Sequence, residues 1–295
     1  MSTAPGAQPR GDDECSLTVG KLAADDRKEI LAFLAARPLH TVFMAGLIRD
    51  NGVVSPLNRG VFYACRNHQG RLEGVALIGH ATLVEARSEA ARAAFACLAQ
   101  SCSLSHLIRG EHVDVEGFWT SYARMRGLEP RLVCREVLFE HRGPVRSRKP
   151  VKGLRQATLD DLALVMTTNA GLAMEECGVN PLRRDALGFR QRTARRIEQG
   201  RVWVWVENGE LIFKADVVSD TPEAVYLEGI YVHPRERRKG YGLRCLTQLS
   251  RLLLARTEAV CLVVNEEQKD AQAFYRKAGY TQIGDYDTIY LQQLH

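Results

Sequence analysis

Between Val225 and Val264 the chain sets out a strand, a basic glycine-bearing loop, an amphipathic helix and a second strand. Val225-Tyr-Leu-Glu-Gly-Ile-Tyr-Val232 is rich in the β-branched and aromatic residues that suit a pleated surface. The helix that follows carries Leu246, Leu249 and Leu253 on one face and runs to about Arg256; residues 260–264 form the next strand. A strand, crossover helix and strand in one sheet imply parallel pairing with a right-handed connection. That order leaves few folds open.

The loop before the helix reads Arg237-Arg-Lys-Gly-Tyr-Gly242. Glycines at 240 and 242 allow close approach of the backbone, and the first turn of any helix presents unpaired N–H groups. The helix dipole adds partial positive charge there, and Arg237, Arg238 and Lys239 add full charges. Such a place suits a phosphate or pyrophosphate. Further on, Ala271, Phe274, Tyr275 and Ala278 fall at helical spacing and Gly279 ends the run.

A chain of 295 residues suggests two domains. Residues 1–15, rich in Gly, Pro, Ala and Asp, read as a disordered N-terminus. A strand over 17–22 and a helix over 25–36 follow, with Pro38 just past the helix end. Strands at 61–65 and 72–78, helices at 88–100 and 113–126 and a strand at 131–140 complete a first domain, 16–145. Residues 142–153 hold two prolines and five basic side chains; the basic linker is placed at 146–152. The second domain, 153–295, repeats the order: strand 153–157, helices 159–174 and 183–199, then strands 201–206 and 211–218 around Glu207-Asn-Gly-Glu210.

Composition excludes several classes. No stretch is long and apolar enough for a membrane helix, and the N-terminus lacks the apolar core of a signal peptide. The net charge of +5 is spread over both halves and does not imply a nucleic-acid surface. Of 40 basic residues 32 are Arg, so individual placement, not the total, has to carry any argument about anions. The eight cysteines have neither disulfide-scaffold nor zinc-ligand spacing, which fits a reducing cytoplasm and no metal.

The motifs V-x-P-x-x-R-x-x-G-x-G at 232–242 and A-x-x-F-Y-x-x-x-G-Y at 271–280 together resemble the GNAT superfamily of acyl-CoA-dependent N-acetyltransferases. The resemblance covers roughly 153–295; the first half is similar to the degenerate domain of tandem GNAT proteins and has no R-x-x-G-x-G. It implies an α/β fold of two GNAT-like domains, each a mixed central sheet flanked by helices. It implies acetyl-CoA as co-substrate, its pyrophosphate on Arg237, Arg238, Lys239, Gly240, Tyr241, Gly242 and Leu243, and its pantetheine along Ile230, Tyr231 and Val232. Asn265 would contact the cofactor arm, Tyr275 would protonate the leaving thiolate, and Glu228 would be the base. Glu175 and Glu176, in a stretch similar to the family's acceptor segment, would draw in a cationic amine. The expected partner is an amine-bearing small molecule or peptide, with neither nucleic acid nor membrane; oligomeric state stays open. Two alternatives remain: a non-catalytic acyl-CoA-binding module, and a reaction like that of the mycothiol synthases.

Overall fold

The computed structural model describes residues 17–124, 127–145 and 149–292. The expected disordered segment 1–15 and the linker residues 146–148 lie outside the described residues. In chain order the first half contains β1 (Thr18–Lys21), α1 (Arg27–Leu34), α2 (Pro38–Asn51), β2 (Gly60–Arg66), β3 (Leu72–Gly79) and β4 (Ala81–Ala86). It continues with α3 (Glu89–Ala99), β5 (Leu107–Glu111), α4 (His112–Arg124) and β6 (Pro130–His141). The second half contains β7 (Arg155–Gln156), α5 (Leu162–Cys177), α6 (Pro181–Arg184), α7 (Ala186–Glu198), β8 (Val202–Glu207) and β9 (Glu210–Asp220). After these come β10 (Val225–Val232), α8 (Tyr241–Leu254), β11 (Val260–Asn265), α9 (Lys269–Ala278) and β12 (Thr281–Leu291).

All twelve strands join one mixed sheet in the order β1-β2-β3-β4-β5-β12-β6-β11-β10-β9-β8-β7. Read from either edge the order is the same once β1–β6 are exchanged with β7–β12, so the two halves are related by a pseudo-twofold between β12 and β6. The final strands cross over. β6 pairs with β11 from Val260↔His141 to Asn265↔Glu136, and β12 pairs with β5 from Tyr286↔Glu111 to Tyr290↔Leu107. The two exchanged strands also pair with each other along most of their length.

Packing follows the exchange. Val137 and Phe139 of β6 are buried with Leu246, Leu249 and Tyr275 of the second half, while Ile289 and Leu291 of β12 are buried with Phe95 and Phe118 of the first. Burying a side chain of this size contributes about 1.5–3 kcal/mol, so each half depends on apolar area delivered by the other's segment of chain. A junction layer, including Val42, Leu138, Tyr226 and Tyr286, fills the middle. Of the expected linker, Val151 is buried; its N–H donates to Gln248 Oε1 at 2.8 Å, and Arg244 donates to the carbonyls of Lys149 and Pro150.

Pro38 lies past the end of α1, as expected, and also opens α2, a helix the sequence did not announce. Proline lacks only an N–H that the first helical turn leaves unused. α2 then packs on the second half: a Cβ on Gly46 would stand 2.7 Å from Ser219 Oγ. Arg49 bonds Glu223 at 3.1 Å, and Phe43 meets the Tyr226 ring at 4.3 Å. The periodicity of β4, β5 and β12 is too short or too polar to have announced these strands. No helix among the described residues is long and apolar enough to cross a membrane.

Candidate active site

β10 and β11 run parallel and pair only at Val225↔Val260 and Tyr226↔Cys261. Beyond that point β10 stays with β9 and β11 stays with β6, so the two strands diverge and leave backbone groups facing an opening. A bulge sharpens the divergence: Glu228 opposes Asp216, but Tyr231 opposes Lys214. An extra residue on one strand bends it and frees its amides. Gly229 sits in the bulge at φ +56°, and a Cβ there would lie 2.7 Å from Lys214 Nζ. Lys214 is fully buried, donates to the Gly229 carbonyl at 3.0 Å and pairs with Asp216 at 2.9 Å. Burial pulls the Lys214 ammonium below its ordinary range, with Asp216 opposing.

At the mouth of this opening α8 begins at Gly240, which has φ +82° and offers no side-chain cap. No acidic residue stands in the first turn and no side chain caps it, so its first N–H groups are without an intrahelical or capping partner. Gly242 lets the helix press against β10, since a Cβ there would lie 2.6 Å from Val232 Cγ2. Arg237 Nε donates to the Val232 carbonyl at 3.2 Å, and Lys239 pairs with Glu236 at 2.9 Å. Arg238 is exposed. Tyr241 meets Trp205 edge-on at 5.1 Å, and Leu243, Ile230 and Val232 pack on the core.

The pseudo-symmetric place in the first half is built differently, around a cavity lined by Glu85, Glu111 and Asp114. β4 and β5 also diverge after two pairs, Ala81↔Leu107 and Thr82↔Ile108. There, however, Ser88 caps α3 by accepting from the Ala91 N–H at 3.2 Å, and Glu89 occupies the first turn. Arg37 bridges the two strands, bonded to Glu111 and, at 3.2 Å, to Glu85, while Tyr286 and His40 hydrogen-bond at 2.9 Å. The capped helix start and the three carboxylates make this a poor place for an anion.

Three carboxylates gather at the inner end of the second opening. Glu228 accepts from Arg109 Nη1 at 3.0 Å. The same guanidinium donates to Tyr226 Oη at 2.9 Å and to Glu136 at 3.4 Å, and Thr288 donates to the other Glu136 oxygen at 2.6 Å. Glu176, at the end of α5, is exposed at the surface, as Glu175 is, while protein atoms crowd its carboxyl from the inner side. Burial, reinforced by Glu228 and Glu136 and opposed by Arg109 and Lys214, pushes its carboxyl up to about 7. Glu175 is exposed beside it, and its charge acts on Tyr231, whose hydroxyl burial pushes up. Tyr275 is buried on α9 with its ring 6.0 Å from Phe139, and burial followed by the Glu176 charge holds its hydroxyl well above the ordinary range.

The structure thus brings Glu228, Glu176 and Tyr275 into one electrostatic neighbourhood and sets the glycine loop at its mouth. Asn265 ends β11, where its Oδ1 accepts the Glu267 N–H at 2.8 Å and closes a turn. Sequence reasoning missed Arg109, Glu136, Tyr226 and Lys214. No local signal marks them, because each acts on a residue of another strand. Among the described residues no group of three or more His, Cys, Asp and Glu is arranged to hold a metal ion.

Residues 173–280 match the family model described as the acetyltransferase (GNAT) family. Among solved structures, the chain is similar to an acetyltransferase of that family from Colwellia psychrerythraea, at 12% identity and a TM-score of 0.60, covering 94% of this chain and 100% of that one. A GCN5-related N-acetyltransferase from Sphaerobacter thermophilus matches at 13% identity and a TM-score of 0.57, over 93% of this chain and 95% of the other. A tandem GNAT protein from the clavulanic acid biosynthesis pathway matches at 16% identity and a TM-score of 0.55, over 95% and 99%. At these identities the likeness shows the fold, and it spans both halves. No curated protein sequence matches the chain.

Proposed function

We propose, from the premise that residues 173–280 are an acetyltransferase domain of the GNAT family, that the protein moves an acetyl group from acetyl-CoA to a primary amine of a small molecule or peptide. The observation that carries this reading is the pairing of an uncapped, glycine-opened helix start with the carboxylates Glu228 and Glu136, gathered on Arg109, at the other end of one strand opening.

The residues present fit the co-substrate. First-turn amides of α8, with Arg237 and Arg238, suit a pyrophosphate, and the free edge of Ile230, Tyr231 and Val232 suits an extended amide-bearing arm. Bound there, acetyl-CoA supplies an activated acyl thioester. A backbone N–H at the Gly229 bulge is available to stabilise charge on the thioester oxygen, as donors aimed at developing charge do. Lys214 holds that bulge in shape through the Gly229 carbonyl.

An amine arrives as its cation, drawn by Glu175, Glu176, Glu228 and Glu136, and must lose a proton to attack. Glu176 suits this task better than Glu228, because its proton affinity lies near neutrality while Glu228 is held by Arg109. Glu176 takes the first amine proton and releases it to solvent, and the new C–N bond forms as the C–S bond breaks. The Tyr275 hydroxyl gives the departing sulfur its proton, and the second proton of the acylated nitrogen restores that hydroxyl. Glu228 and Glu136 keep Glu176 basic.

The test is thermal stability with acetyl-CoA, followed by thiol release over an amine panel. Ligand at 100 times its Kd adds about 2.7 kcal/mol to apparent stability. Gly240→Glu places a carboxylate at the helix start and should abolish that gain. No stabilisation of the wild type overturns the reading; stabilisation without thiol release from any amine supports a binding module instead.

A further inference from the structure

A second charged cluster lies outside the machinery just described, where the two halves meet. Arg59 precedes β2, His80 stands in the turn between β3 and β4, and His106 precedes β5. Arg184 of α6 and Arg192 of α7 come from the second half. The His80 and His106 rings stack at 5.0 Å, and backbone bonds from His80 N–H to the Arg59 carbonyl and from His106 N–H to the His80 carbonyl hold the three together.

The cluster is short of negative charge. Asp185 is the carboxylate that acts on it, but Asp185 already bonds Arg192 at 3.0 Å and the Gly188 N–H at 2.9 Å. Among the described residues no carboxylate comes within ion-pair distance of Arg59, Arg131 or Arg184. Arg184 donates to His106 Nε2 at 3.1 Å, because a guanidinium has no acceptor to offer. The ring proton therefore sits on Nδ1, and that atom is buried without a hydrogen-bond partner on a side chain only 8% exposed. A buried polar atom without a partner calls for one. Burial and the surrounding arginines push the His80 imidazole down to about 3, and the same field attracts an anion.

The cluster adjoins the acceptor end of the opening. His106 meets the Tyr290 ring edge-on at 6.2 Å, and Arg131 lies over that ring at 5.2 Å while donating to the Cys177 carbonyl, next in sequence to Glu176. Glu136 and Arg109 act on the same Tyr290 hydroxyl. One aromatic ring thus separates a basic end from an acidic end.

We propose that the acceptor carries, besides its amine, a carboxylate or phosphate that seats against Arg59, Arg184 and the His80–His106 pair. This deepens the acetyl-transfer reading and rests on it for the amine. Charge-assisted bonds from arginine to such anions are strong and directional, so the second group fixes which way the amine points.

Two measurements separate the proposal from the reading beneath it. Thiol release is compared for a diamine and an ω-amino acid of equal length, in the wild type and in Arg184→Gln and Arg59→Gln. The amino acid should have the lower KM, and each variant should reduce that preference about tenfold, equivalent to about 1.4 kcal/mol. A preference for the diamine, or variants that leave the ratio unchanged, overturns the proposal while acetyl transfer stands. Independently, inorganic phosphate is titrated against Gly240→Glu, whose helix start is blocked, at ionic strength matched with chloride. A phosphate-specific rise in Tm that disappears when Arg184→Gln is added supports the site even where no amine reacts. Equal Tm in phosphate and chloride overturns it.

Discussion

Arg109 of the first half donates to Glu228 of the second at 3.0 Å, across 119 residues of sequence. The guanidinium also holds Tyr226 and Glu136, so one side chain ties β5, β6 and β10 together at the inner end of the opening. The half without an open anion site therefore still builds part of the other half's candidate site.

Arg109→Gln leaves Glu228 and Glu136 without their cation. Removing Arg109 strips Glu136, with which it forms a largely buried pair, of its cation, and we expect a loss of about 3 kcal/mol in chemical denaturation. Arg109 also lowers the proton affinity of Glu176, so the acidic limb of the pH–rate profile should move to higher pH in this variant. A limb that stays in place would separate Arg109 from Glu176.

Glu176→Gln removes the proposed base. Positioned bases contribute about 100- to 10,000-fold, and kcat should fall within that range. In the wild type kcat should drop as pH falls below about 7, where Glu176 becomes protonated. Stability runs the other way. The folded carboxyl holds its proton up to about 7 against 4.5 ordinarily, so the native state binds more protons between those values and stability falls as pH rises through them. Glu176→Gln should therefore have a higher Tm than wild type at pH 8 and no such advantage at pH 4.5.

Tyr275→Phe keeps the ring contacts with Phe139 and Tyr280 and deletes the hydroxyl. Turnover should fall while the Kd for CoA, measured by calorimetry, barely changes. Equal turnover would leave Tyr275 as a packing residue alone.

Phe139→Ala tests the strand exchange. Phe139 belongs to the first half by sequence but is fully buried against the second half's helices. The substitution should cost about 3–5 kcal/mol, and both halves should unfold in one earlier transition. Two separate transitions would show the halves to be independent.

Local patterns made much of the second half legible. The run from Val225 to Val232 is the observed β10, the α8 stripe of Leu246, Leu249 and Leu253 faces the core, and Tyr275 is buried on α9 as its spacing implied. Such features depend on residues a few positions apart, where backbone geometry alone fixes which side chains share a face. The helix start at Gly240 was equally local. Pro38 shows the limit of such patterns, since a proline that ends one helix can also start the next.

Only the tertiary structure decided the exchange of β6 and β12, the bridging of β4 and β5 by Arg37, and the meeting of Arg109 with Glu228. It also decided which carboxylates crowd Glu176 and where arginines gather around His106. These depend on contacts between segments far apart in the chain, 48 residues for Arg37 and Glu85 and 119 for Arg109 and Glu228, and on the desolvation and summed fields those contacts create. A carboxylate's neighbours across a sheet leave no trace in the residues beside it in the chain, so sequence supplied the groups and the fold set their proton affinities.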